Sequence, residues 1–211
     1  MHIFTQKAAL LEAFGREGHL NGADLSFIEI RAVDLRDVSL VGAILVGSRL
    51  TDVQLSGGQL AELHIQECLL SRVSFAGAQM GHAFCQRSQF VDCDFSDAAL
   101  HQARFLLCTM EGNLFCRADL TSSQLLSCNL NQADLTDARL SRGSLRESSL
   151  EGTRFVGSDL SWVDLRKSGF HDAHYERVIT TGAIFYGRSP WDGQCSTEEN
   201  LAKKLVVFDG E

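Results

Sequence analysis

Residues 117–136 read RADLT SSQLL SCNLN QADLT, four consecutive five-residue units with a leucine at the fourth place of each: Leu120, Leu125, Leu130 and Leu135. The second place is small throughout: Ala118, Ser123, Cys128 and Ala133. Working outward in both directions, every fifth residue from Leu20 to Tyr175 is Leu, Ile, Phe, Met, Cys or Tyr, thirty-two positions without a miss. At a 45% hydrophobic background, chance would produce such a run about once in 10^11 trials, so the chain is an internal repeat. The phase lapses at Thr180 and returns at Phe185.

A period of five suits neither regular element. Helical positions five apart scatter around the helix surface, because each residue turns 100°. Strand positions five apart alternate between the two faces. The period becomes intelligible if the chain turns a corner every five residues, with the large residue and the small one two places before it both pointing inward.

The units Gly22-Ala-Asp-Leu-Ser26, Arg117-Ala-Asp-Leu-Thr121 and Gln132-Ala-Asp-Leu-Thr136 resemble those of the pentapeptide repeat family, roughly A-(D/N)-L-x-x. The resemblance covers about residues 18 to 187. It implies an all-β fold, a right-handed quadrilateral β-helix in which four units close a square coil of twenty residues. Residues 20–185 then make about eight coils, a rod about 40 Å long at the spacing of hydrogen-bonded strands. The unbroken phase leaves no loop projecting from the shaft, unlike family members that carry functional loops. The small centre at Cys85, after Met80, leads us to expect a looser core there.

Three segments follow: 1–17, 18–187 and 188–211. Thr5 followed by Gln6 to Phe14 predicts a short N-terminal capping helix. Ser196-Thr-Glu-Glu199 is a capping box that predicts a helix to about Leu205, before a possible strand at Val206-Val-Phe208. Either end covers an open strand edge, and the C-terminal element is alternatively a dimerisation device.

Composition narrows the function. The chain carries 27 acids, 19 bases and a net charge of −8, which disfavours direct nucleic-acid binding through phosphates. No secretory signal opens the sequence and no apolar run reaches a membrane span, so a cytoplasmic location without a membrane is expected. Seven cysteines, odd in number and without a C-x-x-C pair, read as reduced thiols.

In a twenty-residue coil, residues twenty apart stack. Outward charges then alternate in columns: Asp52/Arg72/Asp92, Asp97/Arg117/Asp137 and Asp119/Arg139/Asp159, with the pairs Glu29/Arg49, Glu67/Arg87, Asp134/Arg154 and Glu147/Lys167. Opposite charges on adjacent strands set register. Only Arg146/Arg166 stacks like on like.

Large apolar outward residues concentrate on the wall centred on Leu25, Leu45 and Ile65: Phe27, Ile44, Val46, Phe84, Leu106, Leu107, Leu126 and Ile184. A contiguous apolar patch on a soluble protein marks a contact site. The candidate partner-binding or self-association face is therefore Ile44, Val46, Phe84, Leu106, Leu107 and Leu126. Trp162 and Trp191 are candidate secondary contacts, since Trp is favoured at contact centres.

Enzyme chemistry is not expected. G-x-S-x-G, P-loop and G-x-G-x-x-G patterns are absent. His171-x-x-His174 is the only close histidine pair and no cysteine joins it, so neither a metal nor another cofactor is expected. The expected function is a non-catalytic protein–protein interaction module that presents a rigid face to a protein partner or to a second copy. The family resemblance implies an alternative, an acidic rod mimicking duplex DNA to regulate or protect DNA gyrase or topoisomerase IV. A third implied setting is an accessory or cargo role in a bacterial secretion system.

Overall fold

The computed structural model describes residue 15 and residues 18–186. The predicted N- and C-terminal helices and Trp191 lie outside the described residues. Hydrogen bonds link each residue to one about twenty positions away: Leu20 N–H donates to Ser39 O at 2.7 Å and Gly22 N–H to Val41 O at 2.8 Å. That separation closes a four-sided coil from four pentapeptides.

Among the described residues nine short strands are defined: β1 (Glu29–Asp34), β2 (Ile44–Val46), β3 (Arg49–Gln54), β4 (His64–Gln66), β5 (Leu69–Ser71), β6 (Phe84–Gln86), β7 (Gln89–Val91), β8 (Arg104–Leu106) and β9 (Gln124–Leu126). They build two parallel sheets on adjoining walls. One, β1-β3-β5-β7, is centred on Ile30; the other, β2-β4-β6-β8-β9, on Leu45. Isolated bridges extend the second ladder to both ends, from Asp24 up to Ile184, in eight steps of twenty residues. The wall centred on Leu40 is held by isolated bridges, and that centred on Leu35 by isolated bridges beyond the end of the β1–β3 ladder at Asp34 and Gln54.

The thirty-two repeat positions all point inward, and every one except Phe170 is buried. Thr180, the lapse in phase, also points in and is buried. The middle of the rod is filled by aromatic rings. Phe75, Phe95 and Phe115 stack face to face at 4.8 Å intervals, and Phe90 and Phe105 meet Phe95 edge-on.

Cys85 is fully buried. Phe105 lies directly above it in register. An enclosed apolar void of about 10 Å³ lies lower, among the Leu and Ile centres of the first coils and Phe75. Aliphatic centres meeting across the axis fill it less completely than stacked rings.

Every fifth residue from Gly22 to Gly182 has positive φ, thirty-three corners of which only nine are glycine. Left-handed φ costs an L-residue with a side chain about 1 kcal/mol or more, so burial and the bonds between coils must hold these corners. Two kinds of corner do so. At a closed corner the central C=O accepts the N–H three residues on, as Leu20 O accepts from Ala23 at 3.1 Å, the pattern of a type II turn.

At an open corner that bond is not made, and a side chain in the coil above bridges both orphaned groups. Ser48 Oγ accepts Ile28 N–H and donates to Leu25 O at 2.6 Å. Ser148 Oγ accepts Cys128 N–H at 3.0 Å and donates to Leu125 O at 2.7 Å. Asn113 accepts Cys93 N–H at 2.9 Å and donates to Phe90 O at 3.1 Å. The inward Ser, Cys and Asn residues are thus polar staples inside the wall as well as small core fillers.

Candidate functional surfaces

The apolar wall is the outer face of the five-stranded sheet. Leu107 is its most exposed candidate, at 52%; Ile44, Val46, Phe84, Leu106 and Leu126 are half-buried. Register divides them into two groups. Leu106 and Leu126 are direct cross-strand neighbours, with Leu107 at the adjoining corner and Phe84 one coil below. Ile44 and Val46 lie two coils below Phe84 and its neighbour Gln86, separated from them by His64 and Gln66. Phe84 is itself sandwiched: His64 contacts its ring at 5.0 Å and the Arg104 guanidinium sits 5.4 Å from its centroid. Part of the apolar surface anticipated from sequence is therefore already covered by flanking side chains.

The two exposed aromatic corners lean toward the following coil. The Phe27 ring lies over Gly47, where a Cβ would come within 2.8 Å of it, and the Trp162 ring over Gly182, where a Cβ would come within 2.5 Å. Trp162 nonetheless stays 60% exposed.

Six of the ten anticipated ion-pair steps form: Glu67–Arg87, Asp52–Arg72, Asp97–Arg117, Asp119–Arg139, Asp134–Arg154 and Glu147–Lys167. In each, the base meets the acid of the preceding coil. Short corner side chains lean upward, as Asp37 does over Gly57 and Asp137 over Gly157. An acid is thus presented to the base above it and turned away from the base below. Glu29 pairs with Arg31 in its own strand instead of Arg49. Asp164 sits between the like-charged Arg146 and Arg166 and pairs with both. Hydrogen bonds from Arg72 and Arg117 hold the carboxyls of Asp52 and Asp97 below the usual range.

Acids are unevenly distributed among the walls. The Ile30 wall carries six acids against three bases and the Leu35 wall seven against four. The apolar wall carries four against five, and the Leu40 wall three against two. Net negative charge therefore resides on two adjoining walls. Asp92, Asp94, Glu111, Asp137 and Glu151 lie there, and among the described residues none forms an ion pair. Residue spacing alone could have found this asymmetry, but column-by-column reading of the charges hides it.

The described cysteines are all unbridged. Burial pushes Cys93 up to about 12 and Cys85 well above the ordinary thiol range. The neighbouring Cys108 thiol, then burial, also raises Cys128. Cys116 is partly exposed. Among the described residues no three metal-ligating side chains cluster, and no helix is long and apolar enough to cross a membrane. A shallow surface depression of about 420 Å³ is lined by Arg154, Val156, His174, Tyr175 and Glu176.

These observations define a four-sided parallel β-solenoid whose interior is sealed by its own side chains. The chain belongs to the pentapeptide repeat family: eight repeat copies match at residues 28–62, 68–105, 108–137 and 133–172. Among solved structures, it is similar to a trypsin-treated form of QnrB1, described as a plasmid-mediated fluoroquinolone resistance protein, at 15% identity and a TM-score of 0.46, covering 79% of this chain and 84% of that one. Full-length QnrB1 aligns at 14% identity and a TM-score of 0.41, over 87% and 89% of the two chains. HetL, involved in heterocyst differentiation regulation in the cyanobacterium Nostoc, aligns at 19% identity and a TM-score of 0.39, over 86% and 98%. A search of curated proteins by sequence finds no significant match.

Proposed function

We propose that this chain is a non-catalytic protein–protein interaction module whose working surface is the outer face of the five-stranded sheet. The observation that carries the reading is the cluster of Leu106, Leu107 and Leu126 beside Phe84 on three successive coils. A rod held by bonds between coils presents such a cluster without reorganisation, so little conformational entropy is lost on binding. The test is light scattering on the native protein and on a Leu106→Glu, Leu107→Glu double variant, each alone and with DNA gyrase. Loss of association in the variant supports the reading; association unchanged by two new carboxylates overturns it.

A second reading is favoured by the charge asymmetry. Acids concentrated on two adjoining walls, several of them without a base, suit a rod that occupies a DNA-binding groove of a type II topoisomerase. On that reading, binding to gyrase weakens with salt and is competed by duplex DNA. It is lost on replacing Asp92, Asp94 and Asp137 by Asn, and survives the Leu106/Leu107 change.

A further inference from the structure

The apolar wall is complementary to itself. Two copies can meet wall to wall with their rods antiparallel, related by a two-fold axis that lies in the interface along the strand direction. Such an axis keeps each column of side chains opposite the same column of the partner while reversing the order of the coils. We propose that the partner of this wall is a second copy of the chain, with the axis passing between β8 and β9. The inference rests on the wall being an interaction surface and adds its occupant and register.

With the axis there, Leu106 of one copy faces Leu126 of the other, the two being adjacent rungs of one ladder. Three coils further out on the same ladder, Val46 faces the exposed Tyr186 and Ile44 faces Ile184. The polar positions match by charge. Glu67 comes opposite Lys167, and Arg87 opposite Glu147. Within one chain these four already form the pairs Glu67–Arg87 and Glu147–Lys167, so association closes each set into a ring of alternating charge. His64 comes opposite Asp164. No like charges meet.

The neighbouring registers lack this property. Moving the axis down onto β8 sets Arg104 against the partner's Arg104 and Glu67 against Glu147. Moving it up onto β9 sets Arg87 against Lys167 and the exposed Leu107 against Glu147. Among these three registers the charge pattern therefore selects one, which is how complementary surfaces fix register. The wall measures roughly 40 Å by 10 Å, small for a permanent dimer. A weak, exchanging dimer is the expected species.

The in-chain pairs make a test possible that leaves the fold alone. One variant exchanges the lower pair (Glu67→Lys with Arg87→Glu); another exchanges the upper pair (Glu147→Lys with Lys167→Glu). Each keeps its own in-chain attraction but turns the cross-chain contacts of the homodimer into like-charge contacts. Mixing the two variants restores every opposite-charge contact.

Sedimentation equilibrium over micromolar to near-millimolar concentration is the readout, with circular dichroism to verify folding. The native chain is expected to approach twice its 23.2 kDa, each variant alone to dissociate at least tenfold more readily, and the equimolar mixture to recover the native affinity. A monomeric native chain, or variants that self-associate as the native chain does, or a mixture that stays monomeric, overturns the proposal. If the charge variants associate normally while Leu106→Glu with Leu107→Glu does not, the wall still binds and the two-fold register is wrong.

Discussion

Replacing Asn113 by Leu separates a core read as merely small and apolar from one stapled by polar side chains. The position points inward and is fully buried, so a reading from periodicity alone expects leucine to stabilise. The hydrogen bonds lead to the opposite result. Asn113 is the bridge for the Cys93 N–H and the Phe90 C=O at an open corner, and leucine leaves both buried without a partner. Two such groups cost about 1–3 kcal/mol each, against about 2 kcal/mol from the added apolar burial. At the middle of that range the net expectation is a loss of about 2 kcal/mol, measured by urea denaturation followed by far-ultraviolet circular dichroism.

Thr153→Val supplies the control. Thr153 donates to Leu130 O at 2.8 Å, but that carbonyl also accepts the turn bond from Ala133, so less than about 1 kcal/mol should be lost. An Asn113→Leu protein as stable as the native chain would refute the stapling argument.

Other outcomes follow from the corners, charges and thiols. Gly182→Ala drives a Cβ into the Trp162 ring at a positive-φ corner; it should cost about 1–2 kcal/mol and red-shift the emission of Trp162 in a Trp191→Phe background. Asp52 and Asp97 have depressed native pKa values caused by Arg72 and Arg117, so their contribution is present above the unfolded carboxylate value of about 3.9 and is lost as pH falls through the lower native value. The stability difference between the native chain and an Arg72→Ala, Arg117→Ala variant should accordingly be constant from pH 5 to 8 and shrink below about pH 4. In a Cys195→Ser background, a thiol reagent should modify Cys116 first and reach the buried cysteines only at the rate of unfolding, because burial keeps Cys85 and Cys93 protonated; rapid native-state modification of several thiols would contradict that.

The inward set of residues was legible because one physical demand, a large side chain at each wall centre, recurs at a fixed interval that no other element mimics. Stacking at twenty residues came from the family resemblance and located real ion pairs such as Asp97–Arg117. Spacing could not reveal that acids lean toward the following coil, since Arg117 is equally distant in sequence from Asp97 and Asp137. Nor could it tell an open corner from a closed one, which depends on whether a central carbonyl finds the N–H three residues on or a side chain one coil away. Ser48, Ser148 and Asn113 consequently read as small core residues. The candidate wall was legible as a concentration of apolar positions, but its division at His64 and Gln66, and the covering of Phe84 by Arg104, required knowledge of where side chains lean.

The stacked rings of Phe75, Phe95 and Phe115 have a consequence for how the rod comes apart. Contacts run only between adjacent coils, so stability behaves as a chain of nearest-neighbour links, and these links are unequal. The aromatic links sit in the middle, while the aliphatic first coils enclose a void. Opening should therefore start at the N-terminal coils and run up to Phe75 as a front, with the central coils serving as the template on which the lower ones re-form. Amide exchange would register this as a gradient, fastest near Leu25 and slowest around Phe95.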